Sequence, residues 1–273
     1  MTKPLFFKRV VLFTLLILSS QTKAVAFQTA EGDFKSFISL FKKAGAVDSL
    51  PPALSEERVR AFMPISEVRE GRKFYPTALN RKNSRFYEVM VDYDCPGLAH
   101  CEGTFLITYN LEGKYLGHFC YFKFEGNELD YVYRSCPIRS NDFLVAVEYR
   151  LLGGTFNYDE SRTPHLVEDV VIRNSGKIEV LVQRKIPRGR KHALASVGLI
   201  NDLDLDLLSK DEVLAMKNEI YASYGLVFEE RKWQKYFGRQ KWYKPVVDEV
   251  PDAELTALER RNLRIINAYL KKQ

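Results

Sequence analysis

From Phe34 onward the apolar residues Phe37, Ile38 and Phe41 recur at intervals of three and four, which sets them on one helical face, with Gly45 as the stop. The period is lost across Pro51-Pro52, and a short helix is expected around Ser55 to Phe62. Beyond that the spacing changes to two. Tyr, Phe and Val alternate with polar residues in stretches that read as strands at about 86–93, 103–110, 114–124, 129–136, 141–152, 165–173 and 177–186. Asn110-Leu111-Glu112-Gly113-Lys114 and Arg173-Asn174-Ser175-Gly176-Lys177 each fit a type I turn with a glycine bulge. Links this short join antiparallel neighbours, because parallel strands need a crossover of about a dozen residues. The expectation is an antiparallel meander, curled or sandwiched, with the helix of Phe34 to Phe41 over an open side.

Helical spacing returns near residue 203. Ser209 and Glu212 form a capping-box pattern, Val213, Met216, Ile220 and Tyr224 make one apolar stripe, and Gly225 ends the helix. A shorter helix carries Trp233, Tyr236 and Phe237 and stops at Gly238. A third, capped by Asp252, buries Leu255, Leu258, Ile265, Ile266 and Tyr269. Tyr221, Trp233 and Ile266 are expected in one helical core. Between the two regions, Pro187-Arg188-Gly189-Arg190-Lys191-His192 reads as a solvated connection. The fold class is therefore α+β: an antiparallel β domain with an N-terminal helix over 27–187, a linker over 188–202, and a small three-helix domain over 203–273.

Lys3, Lys8 and Arg9 precede the apolar run Val10 to Leu18, and Ala24-Val25-Ala26 offers the small residues of a signal-peptidase site. The run is shorter than the roughly 20 residues that span a bilayer. Residues 1–26 therefore read as a signal peptide cut after Ala26, giving a periplasmic or extracellular chain that is not an integral membrane protein. No cysteine near the cut suggests a lipid anchor. The leader holds four basic residues and no acidic ones, so the formal charge of +6 falls to +2 on cleavage. Such a balance argues against nucleic acid as a partner, which requires a concentrated basic face.

An exported chain meets an oxidising compartment, so Cys95, Cys101, Cys120 and Cys136 are expected in disulfides. Four cysteines allow three pairings. If Asn110 pairs with Lys114, Cys120 lies opposite Thr104, which puts Cys101 on the other face. The Pro96-Gly97 step lets Cys95 close on Cys101, and Cys120 and Cys136 flank a turn near Asn127 at similar distances. No metal is expected: the five-residue gap around His100 lacks a second ligand pair, and the Asp202, Asp204, Asp206 run has Leu207 where a calcium loop needs glycine. Those aspartates read instead as solvent-facing acids ahead of a helix. No cofactor motif, nucleophile elbow or catalytic residue is indicated. His118 and His165 stand isolated, and the neighbours Glu168-Asp169 and Asp159-Glu160 would point to opposite faces of a strand.

The segment Lys217-Asn218-Glu219-Ile220-Tyr221-Ala222-Ser223-Tyr224-Gly225, together with Tyr236-Phe237, Trp242-Tyr243-Lys244-Pro245 and the closing pattern Leu255, Leu258, Glu259, Asn262, Ile265, Ile266, resembles the YARHG domain. The resemblance covers roughly 203 to 270. It implies an extracellular bacterial module and no particular activity. Where the family's name reads Tyr-Ala-Arg-His-Gly, this chain has Tyr221-Ala222-Ser223-Tyr224-Gly225, so no role resting on the Arg-His pair carries over. The expected function is that of a non-catalytic cell-envelope protein that binds cell-wall polymer, an outer-membrane component or an envelope protein. An exposed patch of Trp242 and Tyr243, with Arg188, Arg190 and Lys191 as anionic contacts, is the expected surface. The alternative is an envelope hydrolase whose site assembles from distant residues. A cleft carboxylate with a raised pKa would favour it.

Overall fold

The computed structural model describes residues 33–44, 51–66, 68, 71–80, 84–98, 101–126, 130–140, 142–152 and 164–273. The expected signal peptide, the Gly45 stop, His100, Asp159-Glu160 and the side chain of His165 lie outside the described residues.

Helix α1 (33–44) buries Phe34, Phe37, Ile38 and Phe41, the face its spacing predicts. Helix α2 (Glu56–Phe62) starts at Ser55, whose hydroxyl accepts the Arg58 N–H at 3.4 Å. Eight strands follow: β1 (Lys73–Asn80), β2 (Phe86–Asp94), β3 (Cys101–Asn110), β4 (Tyr115–Gly126), β5 (Asp130–Arg139), β6 (Phe143–Leu152), β7 (Pro164–Ile172) and β8 (Ile178–Arg184). They pair antiparallel in sequence order. The strand that alternation does not announce is β1. Pro76 interrupts it and a register shift falls between Pro76 and Ala78, which an edge strand tolerates because half of its backbone groups have no ladder partner.

The meander doubles over. Phe86, Leu106 and Phe119 from β2 to β4 share a core with Leu144, Ala146, Val170 and Ile172 from β6 and β7. The other face of β1 to β4 packs Phe74, Val89, Val91, Phe105 and Ile107 under α1 and α2. Tyr109 ties these layers by donating to the Phe62 carbonyl at 2.6 Å. Gly113 sits at φ 90° in the first hairpin turn, where a Cβ would lie 2.5 Å from the Phe34 ring; both the backbone and the close approach require glycine.

Bulges decide the cysteines. Cys95 and Cys101 form the expected disulfide. Cys120 and Cys136 remain thiols, which corrects the second expected bridge. Register shifts in β4 and β5 place Cys120 opposite Phe105 in the core beneath α1, while Cys136 packs in the core between the two halves of the sheet. Burial pushes the two thiols up, Cys120 to about 11 and Cys136 to about 12.

Five helices close the chain: α3 (Leu194–Val197), α4 (Asp202–Asp206), α5 (Lys210–Ala222), α6 (Arg231–Phe237) and α7 (Ala257–Lys272). The capping box of Ser209 and Glu212 starts α5, and α6 ends at Gly238. Helix α7 is capped by Thr256 with Glu259, not by Asp252. The aspartate run is itself α4, with Asn201 and Asp204 as its capping box. Ile266 and Trp233 fall in two neighbouring cores, and Tyr221 packs against both. The 188–202 segment is not a solvated connection. Arg190 and His192 are buried, Ala195 and Val197 belong to the cores, and only parts such as Arg188 and Lys191 are exposed.

Candidate functional site

Three polar constellations stand out once the layers are in place. The first lies where β4 turns from one half of the sheet to the other. A cavity of about 190 Å³ is lined there by Arg72, Tyr93, Phe105, Cys120, Lys123, Glu125, Arg134 and Glu148. Glu125 accepts from the Tyr93 hydroxyl at 2.5 Å and from Arg72 at 2.6 Å, with Lys123 at 3.2 Å. Burial works to raise the Glu125 carboxyl, but the Tyr93 hydrogen bond, Lys123 and Arg72 outweigh it and hold it below the usual range. This carboxylate stays ionised at neutral pH, the opposite of what a hydrolase needs in its general acid. Arg134, stacked over Phe119, binds Glu148 at 3.2 Å and Glu168. Glu168 thus serves the space between the sheet halves, and its neighbour Asp169 faces the opposite way, as strand alternation requires. His118 packs edge-on against Phe105.

The second constellation joins the two expected domains. Leu258 and Val197 pack against Val145, Val147, Val167 and Ile186. Around this apolar contact, Asp169 of β7 accepts the Ala257 N–H at 2.7 Å at the start of α7, where the helix dipole favours an anion. Burial holds the Asp169 carboxyl above its ordinary range, with the Ala257 bond and Arg260 opposing. Arg184 of β8 pairs with Glu259, donates to the Ser223 hydroxyl at 2.5 Å and lies 3.3 Å over the Tyr224 ring. The sequence marks Asp169 only as one of two neighbouring carboxylates and Glu259 only within the closing helix pattern, and nothing local pairs either with its partner across the domains. The Thr256-x-x-Glu259 spacing is a capping-box pattern that marks the start of α7.

The third brings together the residues expected to form a binding surface. Trp242 donates its indole N–H to the Gly189 carbonyl at 3.2 Å, so the 187–191 turn lies beside the Trp242-Tyr243 segment. The Arg190 guanidinium is 6.0 Å from the Trp242 ring. Arg190 itself is buried, pairing with Glu219 at 3.1 Å and donating to Ser196 at 2.9 Å, so it anchors the turn and does not face a ligand. Both aromatics are half-buried: Trp242 packs on Phe237, and Tyr243 donates to the Leu226 carbonyl at 2.7 Å. Arg188, Lys241 and Lys244 remain exposed around them, and Lys191 is exposed with Glu212 at 2.8 Å. Beneath the turn, desolvation, Lys191 and Arg190 bring His192 down to about 4, so it is neutral at physiological pH.

Among the described residues no cluster of His, Cys, Asp and Glu is arranged to hold a metal ion, and no helix is long and apolar enough to cross a membrane. Neither a curated protein nor a solved structure matches the chain. The family model of the YARHG domain matches residues 192–271. That span begins inside the segment expected to be a linker, at buried His192, and covers α3 to α7 up to Lys271. The chain thus carries a YARHG domain, a module of the extracellular or envelope type, at residues 192–271, docked on an eight-stranded antiparallel domain.

Proposed function

We propose that this is an exported protein of the bacterial cell envelope that engages an anionic envelope component without turning it over. The partner would be cell-wall polymer, an outer-membrane component or an envelope protein. The observation that carries the reading is the Trp242 to Gly189 hydrogen bond, which sets the turn bearing exposed Arg188 beside the segment that carries exposed Lys241 and Lys244 and the half-buried indole. An aromatic face flanked by exposed cations suits an anionic, partly apolar surface. Export is supported by the leader pattern of residues 1–26, the Cys95–Cys101 disulfide and the YARHG module.

The test is co-sedimentation of the mature chain with isolated peptidoglycan, outer-membrane lipid vesicles and envelope extract, at low and raised salt, beside Trp242→Ala and the surface variant Arg188→Glu. Enrichment with one fraction, weakened by both substitutions and by salt, is expected. If no fraction retains the wild type while a wall-derived glycan is cleaved, the protein is a hydrolase and this reading fails.

A further inference from the structure

The contact between Arg184 and the YARHG domain goes beyond that reading. Every group that receives the guanidinium belongs to the YARHG domain. Glu259 is fully buried and takes one nitrogen, the Ser223 hydroxyl takes another at 2.5 Å, and the Tyr224 ring forms the floor. The receptor groups are themselves fixed. Tyr224 donates to Glu259 at 2.6 Å, the Thr256 N–H and hydroxyl reach the same carboxylate at 3.1 Å, and Ser223 donates to the Ile220 carbonyl at 2.5 Å. The cation alone comes from outside, from a strand end 75 residues away in sequence. A carboxylate, a hydroxyl and an aromatic face in this array match a planar, forked cation, which can lie flat on the ring while two of its nitrogens reach separate acceptors, better than a compact ammonium that holds all its donors on one nitrogen.

Ser223 and Tyr224 are also the two positions at which this chain departs from the Tyr-Ala-Arg-His-Gly motif. Because the Ser223 hydroxyl touches Arg184, an arginine side chain at 223 would enter the same space and point toward the same carboxylate. We propose that the YARHG motif of this chain is a guanidinium-binding socket, built by Glu259, Tyr224 and Ser223 and filled in place by Arg184 of the β domain. The domain therefore carries a ligand site whose natural occupant in this chain is another part of the same chain. Emptied, it takes small guanidinium compounds.

The experiment uses the full mature chain. Arg184→Ala empties the socket and leaves Glu259 buried without its cation, so the melting temperature should fall on the order of 10 °C. Methylguanidinium at roughly millimolar concentration should then raise it in a saturable way, as a ligand that binds only the folded state does. Methylammonium should not, and neither wild type nor Arg184→Ala/Glu259→Gln should respond to either compound. A second arm moves the guanidinium into the motif: Ser223→Arg lowers the melting temperature in wild type but raises it in Arg184→Ala. The same response with and without Glu259, or none in Arg184→Ala, overturns the socket. Should Arg184→Ala not fold, the double variant Arg184→Ala/Ser223→Arg decides: recovery of the folded chain supports the proposal, and its absence refutes it.

Discussion

Leu258 tests whether the two domains are one cooperative body. It is fully buried and meets Val145, Val147, Val167 and Ile186 of the β domain through a contact that only docking creates. Leu258→Ala removes three carbons, about 2.4 kcal/mol at roughly 0.8 kcal/mol for each. The unfilled space between strand and helix side chains adds to this, giving about 3 to 4 kcal/mol, inside the range for buried Leu→Ala changes. The probes separate the domains: both tryptophans, Trp233 and Trp242, lie in the C-terminal part, whereas the thiols of Cys120 and Cys136 pack in the cores of the β domain and become reactive when it opens. In urea the wild type should give coincident fluorescence and thiol-reactivity transitions, and Leu258→Ala should shift both together. A loss below about 1 kcal/mol, or two transitions already separate in the wild type, would refute the claim that docking couples the domains.

Other consequences follow from particular groups. Because the folded pKa of Asp169 is raised, the folded state holds this proton more tightly than the unfolded one. Its contribution to stability is fully present below the ordinary carboxylate range and is lost as pH rises through the folded value. Asp169→Asn keeps an oxygen for the Ala257 N–H, so it should gain on wild type between acid and neutral pH; parallel stability-against-pH curves would contradict this. Thiol titration of the unfolded, unreduced chain should find two thiols, at Cys120 and Cys136, and peptide mapping should link Cys95 to Cys101; a bridge between Cys120 and Cys136 would overturn the face assignment. Intact mass of protein recovered from periplasm or culture fluid should correspond to a chain beginning near Phe27, and a retained leader would remove the export argument.

The hairpins and amphipathic helices were legible because their causes are local: Gly113 and Gly176 take the positive φ their turns demand, and Ser209 with Glu212 closes its own capping box. Strand β1 was hidden by Pro76, which marks an edge as readily as it breaks a strand. The expected Cys120–Cys136 bridge failed for a related reason, while Cys95–Cys101 formed as its local turn predicts. One bulged residue reverses which face a side chain takes, and bulges in β4 and β5 have no sequence signature as strong as a turn glycine. Helices α3 and α4 are too short to show a period. The 187–192 run looked like linker because Pro, Gly and charge usually mean exposure, yet Arg190 finds Glu219 far along the chain. The same holds for Arg184 with Glu259 and Asp169 with Ala257: the partners that hold the domains together are long-range, and a single sequence does not pair them.

The functional account rests most directly on whether the Trp242 strip is a contact surface. The decisive measurement is a titration of the mature chain, Trp242→Ala and Arg188→Glu against the envelope fraction that retains the wild type, at two salt concentrations. Each substitution should weaken binding at least about fivefold, roughly 1 kcal/mol, and added salt should penalise the wild type more than Arg188→Glu, since the variant has lost part of the screened attraction. Equal affinities for all three proteins, with melting temperatures unchanged, would show that the envelope component binds elsewhere and that the strip serves only to pack the turn at Gly189.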